Sequence, residues 1–376
     1  MIRIPFLICM IFGHVLGQTL DAHAQDEAAL RLAIAEKIVV GFFGQKNTDP
    51  DFRRVIRDLE QGFVGGVLFL GRNISNKTDL ELMVREVKNC KCAVLPLIAI
   101  DEEGGVIERL GELQGFIHTA SAAEVGREDE AKARADYGRL AKKLSDVGFN
   151  INLAPVVDLN INPTNPIIGR LNRSFSSSPE IVSRYASIFI EEHHKQGIAT
   201  ALKHFPGHGS STNDSHEAIA NVETSWSAFE LEPYENLIHL NIADCIMVGH
   251  LANAARWGGA ATQYGSSAVE KILRQQLKFD GVVLSDDLSM SAVRSSNRPF
   301  SEVIRSSVRT GVDIVIVSRI NDDETFDIGE YVNAAILEGV LIGEIDRESI
   351  ALSVKRIEYV RKEIADGFGF KANPRN

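Results

Sequence analysis

The sequence predicts an α/β protein in which short buried strands alternate with amphipathic helices. Two patterns lead to this expectation. Short runs of β-branched and other apolar residues recur along the chain, as they do in buried strands. The segments between them repeat apolar residues at the i, i+3 and i+4 spacing of a helix. This alternation is typical of a parallel sheet whose strands are joined by helical crossovers.

Eight segments match strands and several longer ones match helices. The predicted strands are 38–44, 66–71, 95–101, 150–158, 199–205, 245–251, 281–287 and 313–318, and the clearest predicted helices are 79–90, 128–148, 269–278, 328–337 and 347–365. Eight parallel strands close a (β/α)8 barrel of the TIM type. The alternative is an open doubly wound sheet, but no G-x-G-x-x-G follows an early strand.

Composition sets limits on domain number and on partners. The chain has 376 residues, of which 44% are hydrophobic, so it can form one large barrel or two medium domains. Since no Pro- or Ser-rich linker divides it, we predict a single barrel domain over residues 25–376. The formal net charge of -11 makes nucleic acid and anionic lipid poor partners.

The first 24 residues resemble a secretory signal peptide. Arg3 precedes an apolar stretch that runs from Ile4 to about Leu16, and an A-x-A pattern ends at Ala24. We therefore expect cleavage after Ala24, export to the periplasm or the medium, and no membrane attachment afterwards. The alternative is an N-terminal anchor that is retained, although the apolar run is short for a membrane span.

Four cysteines are present, Cys9, Cys90, Cys92 and Cys245. Cys9 lies in the predicted signal peptide. Cys90 and Cys92 are expected to be too close in sequence to bridge each other easily, and a pair between one of them and Cys245 stays open. This pattern indicates neither a disulfide scaffold nor a zinc cluster.

Unusual polar residues fall at the ends of the predicted strands. The third predicted strand ends with Asp101 and the fourth with Asp158. The fifth ends with Lys203 and His204, the sixth with His250, and the seventh with Asp286 and Asp287. In a barrel all carboxyl-terminal strand ends lie on one face, where active sites are built. We therefore expect these residues to converge.

Two acidic residues end the segment GVVLSDDLSM, residues 281–290. A carboxylate at a strand end can be a metal ligand, a nucleophile or a general base. The alternative is a helix N-cap, because Asp caps well before LSMSAV. At least one of Asp286 and Asp287 is predicted to be catalytic.

The segment KHFPGHGSSTNDSH, residues 203–216, concentrates further candidates. Asp214 stands two residues before His216 and can accept its ring N–H, which makes a workable general acid/base. The alternative is an Asx-turn with an exposed histidine. Lys203 and His204 suit binding of hydroxyls or an anionic group, although His204 can equally be a buried histidine that supports the loop.

Three classes of function fit these residues. The first is a metal-dependent hydrolase with His204, His208, His216 and Asp286 as ligands. The second is a metal-free enzyme with a carboxylate nucleophile and a separate acid/base, and the third is a sugar-binding barrel without turnover. The metal pattern is weak, because neither H-E-x-x-H nor a strand-borne H-x-H occurs.

Four motifs resemble the β-N-acetylhexosaminidases of glycoside hydrolase family 3. They are IAIDEEGGVIERL (98–110), APVVDLNINPTNPIIG (154–169), KHFPGHGSSTNDSH (203–216) and VVLSDDLSM (282–290). The third is the most specific and is similar to the N-acetylglucosaminidase branch. The resemblance covers almost the whole chain after the predicted signal peptide.

The resemblance implies a (β/α)8 barrel and a retaining mechanism without metal or cofactor. Asp286 matches the nucleophile, and His216 matches the acid/base, supported by Asp214. Residues that match those binding the terminal sugar are Asp101, Arg109, Arg173, Lys203 and His204. His208 is then expected to support the loop. The implied substrate carries a non-reducing terminal N-acetylglucosamine, as in muropeptides or chitin oligosaccharides, and the alternative is another exo-β-glycosidase.

The chain departs from the family pattern in two places. Val106 stands where the D-Q-E-G-G-R pattern has arginine, and extra residues precede Arg173, which leaves Arg170 as an alternative to it. Both changes are expected to affect the sugar or aglycone preference. In two-domain β-glucosidases of the family the acid lies beyond the barrel, whereas here we expect it on a barrel loop, at His216.

Overall fold

The structure is a computed structural model that describes residues 25–111, 115–214, 218–262, 267–294, 298–318 and 327–368. The predicted signal peptide with Cys9 and the predicted acid/base His216 lie outside the described residues. Across the ranges just given, no helix is both long enough and apolar enough to cross a membrane.

Eight parallel strands form one sheet. In chain order the strands of the protein are β1 Ile38–Gly41, β2 Gly66–Phe69, β3 Leu97–Ile100, β4 Ile151–Asn152, β5 Ala199–Phe205, β6 Ala220–Asn221, β7 Cys245–Val248, β8 Leu251–Asn253, β9 Gly259–Ala260, β10 Val282–Ser285 and β11 Val315–Val317. The order within the large sheet is β10-β7-β5-β4-β3-β2-β1-β11. A parallel bridge between Leu284 and Ile314 joins its two ends, so the sheet closes. The predicted (β/α)8 barrel is confirmed.

Helices surround the barrel and connect its strands. They span 25–36, Pro50–Gln61, Lys77–Lys88, Ala122–Val125, Glu130–Val147, Pro179–His194, Glu232–His239, Ala254–Trp257, Ala268–Gln276, Ser291–Arg294, Phe300–Arg309, Ile328–Leu341 and Arg347–Asp366, with short 3-10 turns at Gly71–Asn73 and Ala228–Leu231. Local sequence explains their ends. Asp129 caps its helix by accepting the Lys132 N–H, and Gly148 ends that helix in the left-handed region. Pro50 and Pro179 begin helices, where a missing N–H costs no hydrogen bond.

The last helix, Arg347–Asp366, closes the amino-terminal end of the barrel. Its residues Ile357 and Val360 belong to the same apolar cluster as the side chains inside the barrel. Its Arg361 donates hydrogen bonds to the carbonyls of Gly65 and Leu95, which precede β2 and β3. One end of the barrel is therefore filled, and the opposite face, at the carboxyl ends of the strands, remains for a site.

Seven of the eight predicted strands are shorter than expected, and the structure shows why for two of them. The predicted strand 150–158 pairs regularly only at Ile151–Asn152, and Pro155 follows, which has no N–H to give to a sheet. Pairing resumes as a single bridge between Val156 and Lys203. The predicted strand 245–251 ends at Val248, and β8 then pairs with β6 and β9 in a separate three-stranded sheet.

The expectation for the cysteines was wrong. Cys90 and Cys92 form a disulfide, and their Cα atoms are 5.3 Å apart. The turn that follows the helix Lys77–Lys88 brings the two residues within the usual bridging range. Cys245 is a free, buried cysteine inside the barrel, so it pairs with neither of them.

Candidate active site

The carboxyl ends of the strands bring the predicted polar residues to one face. Asp101 directly follows β3, Lys203 and His204 lie near the carboxyl end of β5, and Asp286 directly follows β10. Asp158 lies beyond β4, where the chain continues beside β5 through the Val156–Lys203 bridge. The expected convergence therefore has a structural basis in the parallel strands.

Four charged residues form a connected cluster that we call the ionic clamp: Asp101, Glu103, Arg173 and Lys203. Lys203 Nζ lies 2.7 Å from Asp101 Oδ1 and 2.7 Å from Glu103 Oε1. Arg173 donates from Nε to Glu103 Oε2 and from Nη2 to Glu103 Oε1, both at 2.8 Å. Such charge-assisted and bidentate bonds fix geometry more firmly than neutral hydrogen bonds.

Burial opposes the charged forms of Glu103, Arg173 and Lys203, but their partners outweigh it. Although Glu103 is buried, Arg173 and Lys203 hold the pKa of its carboxyl well below the usual range. Burial likewise disfavours the Lys203 ammonium, but Asp101 and Glu103 raise its pKa. Glu103, Arg173 and Lys203 are therefore ionised at neutral pH, and their charges alternate.

Asp158 organises the chain around His204 and His208. Its Oδ1 accepts the backbone N–H of His208 at 2.7 Å, and its Oδ2 lies 2.7 Å from His204 Nδ1. Burial opposes ionisation of Asp158, but His204 and His208 lower its pKa. Because the carboxylate accepts at Nδ1, the His204 proton sits there, and its Nε2 faces Arg173 Nη2 at 3.5 Å. His204 is thus both a buried supporting residue and a neighbour of the clamp.

The root of the loop that follows β5 is held on both sides. Asn165 donates to the His208 carbonyl at 2.8 Å, and His208 Nδ1 lies 2.8 Å from Ser211 Oγ. On the other side, Ser210 Oγ donates to Glu230 Oε1 at 2.5 Å. Burial lowers the pKa of His208 to about 4, so its ring is neutral at pH 7. These contacts agree with a supporting role for His208.

The predicted acid/base lies farther along this loop. Asp214 is half-buried, and its carbonyl accepts the N–H of Ala218 at 3.2 Å. Because His216 is outside the described residues, the Asp214–His216 pair stays a prediction.

Asp286 and Asp287 differ in their surroundings. Asp286 is half-buried at the rim, its N–H donates to the Val248 carbonyl, and its Oδ1 accepts the Asp287 N–H at 2.8 Å. Asp287 Oδ1 accepts from Ser289 N, Ser289 Oγ and Ser318 N at 2.6 to 2.9 Å. Asp287 therefore ties the ends of β10 and β11 together, which fits a structural role. His250 adds to this support, since its Nε2 lies 3.0 Å from the Asp287 carbonyl.

The three arginines considered for sugar binding differ in burial and contacts. Arg173 belongs to the clamp, whereas Arg170 is exposed on the surface of the same loop. Arg109 is half-buried, with its side chain close to Gly71 beyond β2, and its Nε has no hydrogen-bond partner among the described residues. Val106, at the turn that carries the first motif, is 60% exposed.

Sequence reasoning missed Glu103 and Glu230. The position of Glu103 carried a signal: it stands two residues after Asp101, and alternate residues of an extended segment point the same way. Glu230 carried none, because it lies twenty residues after Ser210, which it contacts, and outside every motif.

Two of the predicted metal ligands, His204 and His208, are engaged in other contacts. His204 Nδ1 bonds Asp158 and His208 Nδ1 bonds Ser211. Over the stretches of chain for which positions are described, no three His, Cys, Asp or Glu side chains are arranged as a metal site.

Comparison with known proteins identifies the family. Residues 31–360 match the model described as "Glycosyl hydrolase family 3 N terminal domain". The β-hexosaminidase of Idiomarina loihiensis is 33% identical over 260 residues, which are 68% of this chain and 76% of that protein. β-Hexosaminidase A of Pseudoalteromonas piscicida is 26% identical over 323 residues, and the match covers 80% of this chain but 54% of that protein.

A solved structure agrees with these sequence matches. The family 3 β-N-acetylglucosaminidase of a Paenibacillus strain superposes with a TM-score of 0.79 at 29% identity, over 90% of this chain and 63% of that one. This chain thus spans about half of one relative and less than two thirds of another. From the family model and these relatives together, the chain belongs to glycosyl hydrolase family 3.

Proposed function

We propose that this protein is an exo-β-N-acetylglucosaminidase with a retaining mechanism. It removes non-reducing terminal N-acetylglucosamine from cell-wall fragments such as muropeptides, or from chitin-type oligosaccharides. Support comes from the relatives, which are named β-hexosaminidase and β-N-acetylglucosaminidase. The N-acetylglucosaminidase-like motif at residues 203–216 points the same way.

The ionic clamp, on the same barrel face as Asp286, is the observation that carries the proposal. Lys203 and Arg173 offer fixed donors, and Asp101 offers acceptors, on the same barrel face as the Asp286 carboxylate. A sugar ring presents both donors and acceptors in its hydroxyls, so alternating charges suit it. In the proposal, the clamp binds a single sugar ring and Asp286 is the nucleophile that attacks it, as exo-cleavage requires.

In the proposed mechanism Asp286 attacks the anomeric carbon while His216 protonates the departing glycosidic oxygen. This step breaks the glycosidic bond and leaves a covalent glycosyl-enzyme. His216, now neutral, then removes a proton from water, and the resulting attack releases the sugar and restores Asp286. Asp214 stabilises the charged imidazole that exists before the first step and after the second.

A panel of nitrophenyl β-glycosides tests the proposal. The wild type should cleave the N-acetyl-β-glucosaminide at least about tenfold more efficiently than the β-glucoside, because the 2-acetamido group is part of what is recognised. Preference for a glycoside without this group would instead support the other exo-β-glycosidase. NMR of the first-formed product should show the β-anomer, and an α-anomer would contradict retention.

The same assay distinguishes the metal-dependent alternative. Dialysis against a chelator should leave the rate unchanged, because a carboxylate nucleophile and a His-Asp pair need no Lewis acid. Loss of activity that zinc restores would favour a metal-dependent hydrolase.

A further inference from the structure

Glu103 lies at the centre of the ionic clamp but is not among the residues that the family resemblance assigns to sugar binding. Its carboxylate accepts two hydrogen bonds from Arg173 and one from Lys203. Both cations meet at one oxygen, Oε1, at 2.8 and 2.7 Å. The side chains of the three residues are 3% to 6% exposed, so solvent screens little of their interaction.

We propose that Glu103 is a positioning residue that holds Arg173 and Lys203 in the geometry in which they bind the terminal sugar. The inference rests on the proposed function of the site. Glu103 takes no part in bond breaking. Its role is to keep two long, flexible side chains in one arrangement before the substrate arrives.

The remaining partners of the two cations do not replace Glu103. Without its charge, Lys203 retains Asp101 as its one ion-pair partner among the described residues. Arg173 retains the Ile167 carbonyl at 2.9 Å and the longer contact with His204 Nε2 at 3.5 Å. The two like charges that shared Oε1 would then repel each other in a buried setting. We therefore expect them to separate, and the donors to leave the positions that the sugar hydroxyls require.

The backbone around Glu103 is itself rigid. Its N–H donates to the Ile107 carbonyl at 2.9 Å, and Gly105 N–H donates to the Thr119 carbonyl at 2.9 Å. Gly104 has a φ of 92°, and a Cβ there would meet the Ala120 carbonyl, so this turn requires glycine. Because its backbone is held in this way, the Glu103 carboxylate can fix the positions of the Arg173 and Lys203 side chains.

Glu108 provides a matched control on the same loop. Its side chain is 5% exposed, close to the 6% of Glu103. It pairs with Lys143 at 3.2 Å and accepts the Thr119 N–H, but it contacts neither Arg173 nor Lys203. Glu108→Gln therefore removes a buried loop carboxylate without touching the clamp.

The experiment compares Glu103→Gln, Glu103→Asp and Glu108→Gln, using the glycoside that the wild type cleaves best. Glu103→Gln should raise KM at least about tenfold and change kcat less, because binding of the sugar is what the clamp provides. The inhibition constant of the free sugar should rise by a similar factor. Glu103→Asp keeps the charge on a shorter side chain, so its KM should lie between those of the wild type and Glu103→Gln. Glu108→Gln should lower the melting temperature while KM stays within about threefold of the wild type.

Three outcomes would overturn the proposal. The first is a wild-type KM in Glu103→Gln, or in Glu103→Asp should the glutamine variant not fold. The second is an equal rise of KM in Glu108→Gln, which would indicate general loosening of the loop. The third is a wild type that cleaves no glycoside, which would also end the proposed function. A wild type that prefers a different glycoside would contradict the proposed function alone, and the ratio of variant to wild type would still decide the role of Glu103.

Discussion

Asp286 and Asp287 are neighbours in sequence with different surroundings, and this difference predicts different roles. Asp286→Ala should lower kcat by at least about three orders of magnitude, because the covalent route is lost. Asp287→Ala should reduce activity far less, and should lower the melting temperature because three hydrogen bonds disappear, two from Ser289 just after β10 and one from Ser318 at the end of β11.

Labelling separates these two carboxylates directly. A fluorinated glycosyl donor that traps the glycosyl-enzyme, followed by peptide mapping, should mark Asp286. A label on Asp287 would show that the two assignments are exchanged.

His216 is predicted to act as acid in the first step and as base in the second, and substrates with different leaving groups distinguish these roles. His216→Ala should nearly abolish cleavage of a disaccharide, whose departing oxygen needs a proton. With a nitrophenyl glycoside the variant should still form the glycosyl-enzyme in a burst and then stall. Azide needs no general base, so it should restore turnover and give the β-glycosyl azide.

The carboxylate beside this histidine offers an internal control. Asp214→Ala should show a milder form of the same behaviour, because the ring keeps its place but loses its charge partner. Equal slowing of both substrates by His216→Ala, without an effect of azide, would make His216 a structural residue.

At the scale of the elements, the sequence predicts the strands and helices that have a periodic pattern. It does not predict very short strands or contacts between residues that are distant in sequence. The eight barrel strands follow from their β-branched runs, and each lies within a predicted segment. The strands β6 and β9 have two residues each, too few to show a period. Glu230 contacts the loop that follows β5 because the chain returns to this loop after β6. No local sequence pattern records such a contact.

The stability of the start of the loop that follows β5 should depend on pH through Glu230. Burial raises the pKa of this carboxyl group from 4.5 to about 7. Folding therefore takes up a proton between these values, and the contribution of the group to stability is fully present below pH 4.5 and is lost as pH rises through 7. Glu230→Gln cannot lose a proton and should escape this loss.

The measurement is the free energy of unfolding of both proteins as a function of pH. Relative to the wild type, Glu230→Gln should gain about 3 kcal/mol between pH 4.5 and 8. Its amide oxygen can still accept the Ser210 hydroxyl, so the loop should keep its position. Parallel stability curves for the two proteins would contradict the assignment.

At the scale of the whole molecule, the pattern of residues 1–24 predicts where the protein is located. We propose that residues 1–24 are removed as a signal peptide and that one catalytic domain, residues 25–376, remains in the periplasm or the medium. N-terminal sequencing of the native protein should begin at Gln25. An intact Met1 in a cytosolic fraction would contradict export.

Lys37, at the closed end of the barrel, should make the free energy of unfolding depend on pH in the opposite direction to Glu230. Lys37 precedes β1 and is 1% exposed, and its Nζ donates to the Val312 carbonyl at 3.3 Å. Burial lowers the pKa of this lysine from 10.5 to about 8, although Asp313 acts in the opposite direction. The unfolded chain therefore binds more protons between pH 8 and 10.5, and this group makes stability rise with pH across that window.

Lys37→Met keeps the buried aliphatic stem and removes the titration. Because charging Lys37 costs stability at neutral pH, the variant should be most favoured relative to the wild type below pH 8. That advantage should shrink by about 3 kcal/mol as the pH rises from 8 to 10.5, where the wild-type lysine is neutral in the folded protein and half protonated in the unfolded chain. Denaturant unfolding of both proteins at pH 7, 9 and 10.5 provides the comparison. A constant difference across these pH values would mean that Lys37 titrates alike in the folded and unfolded protein, and that the last helix does not seal it from water.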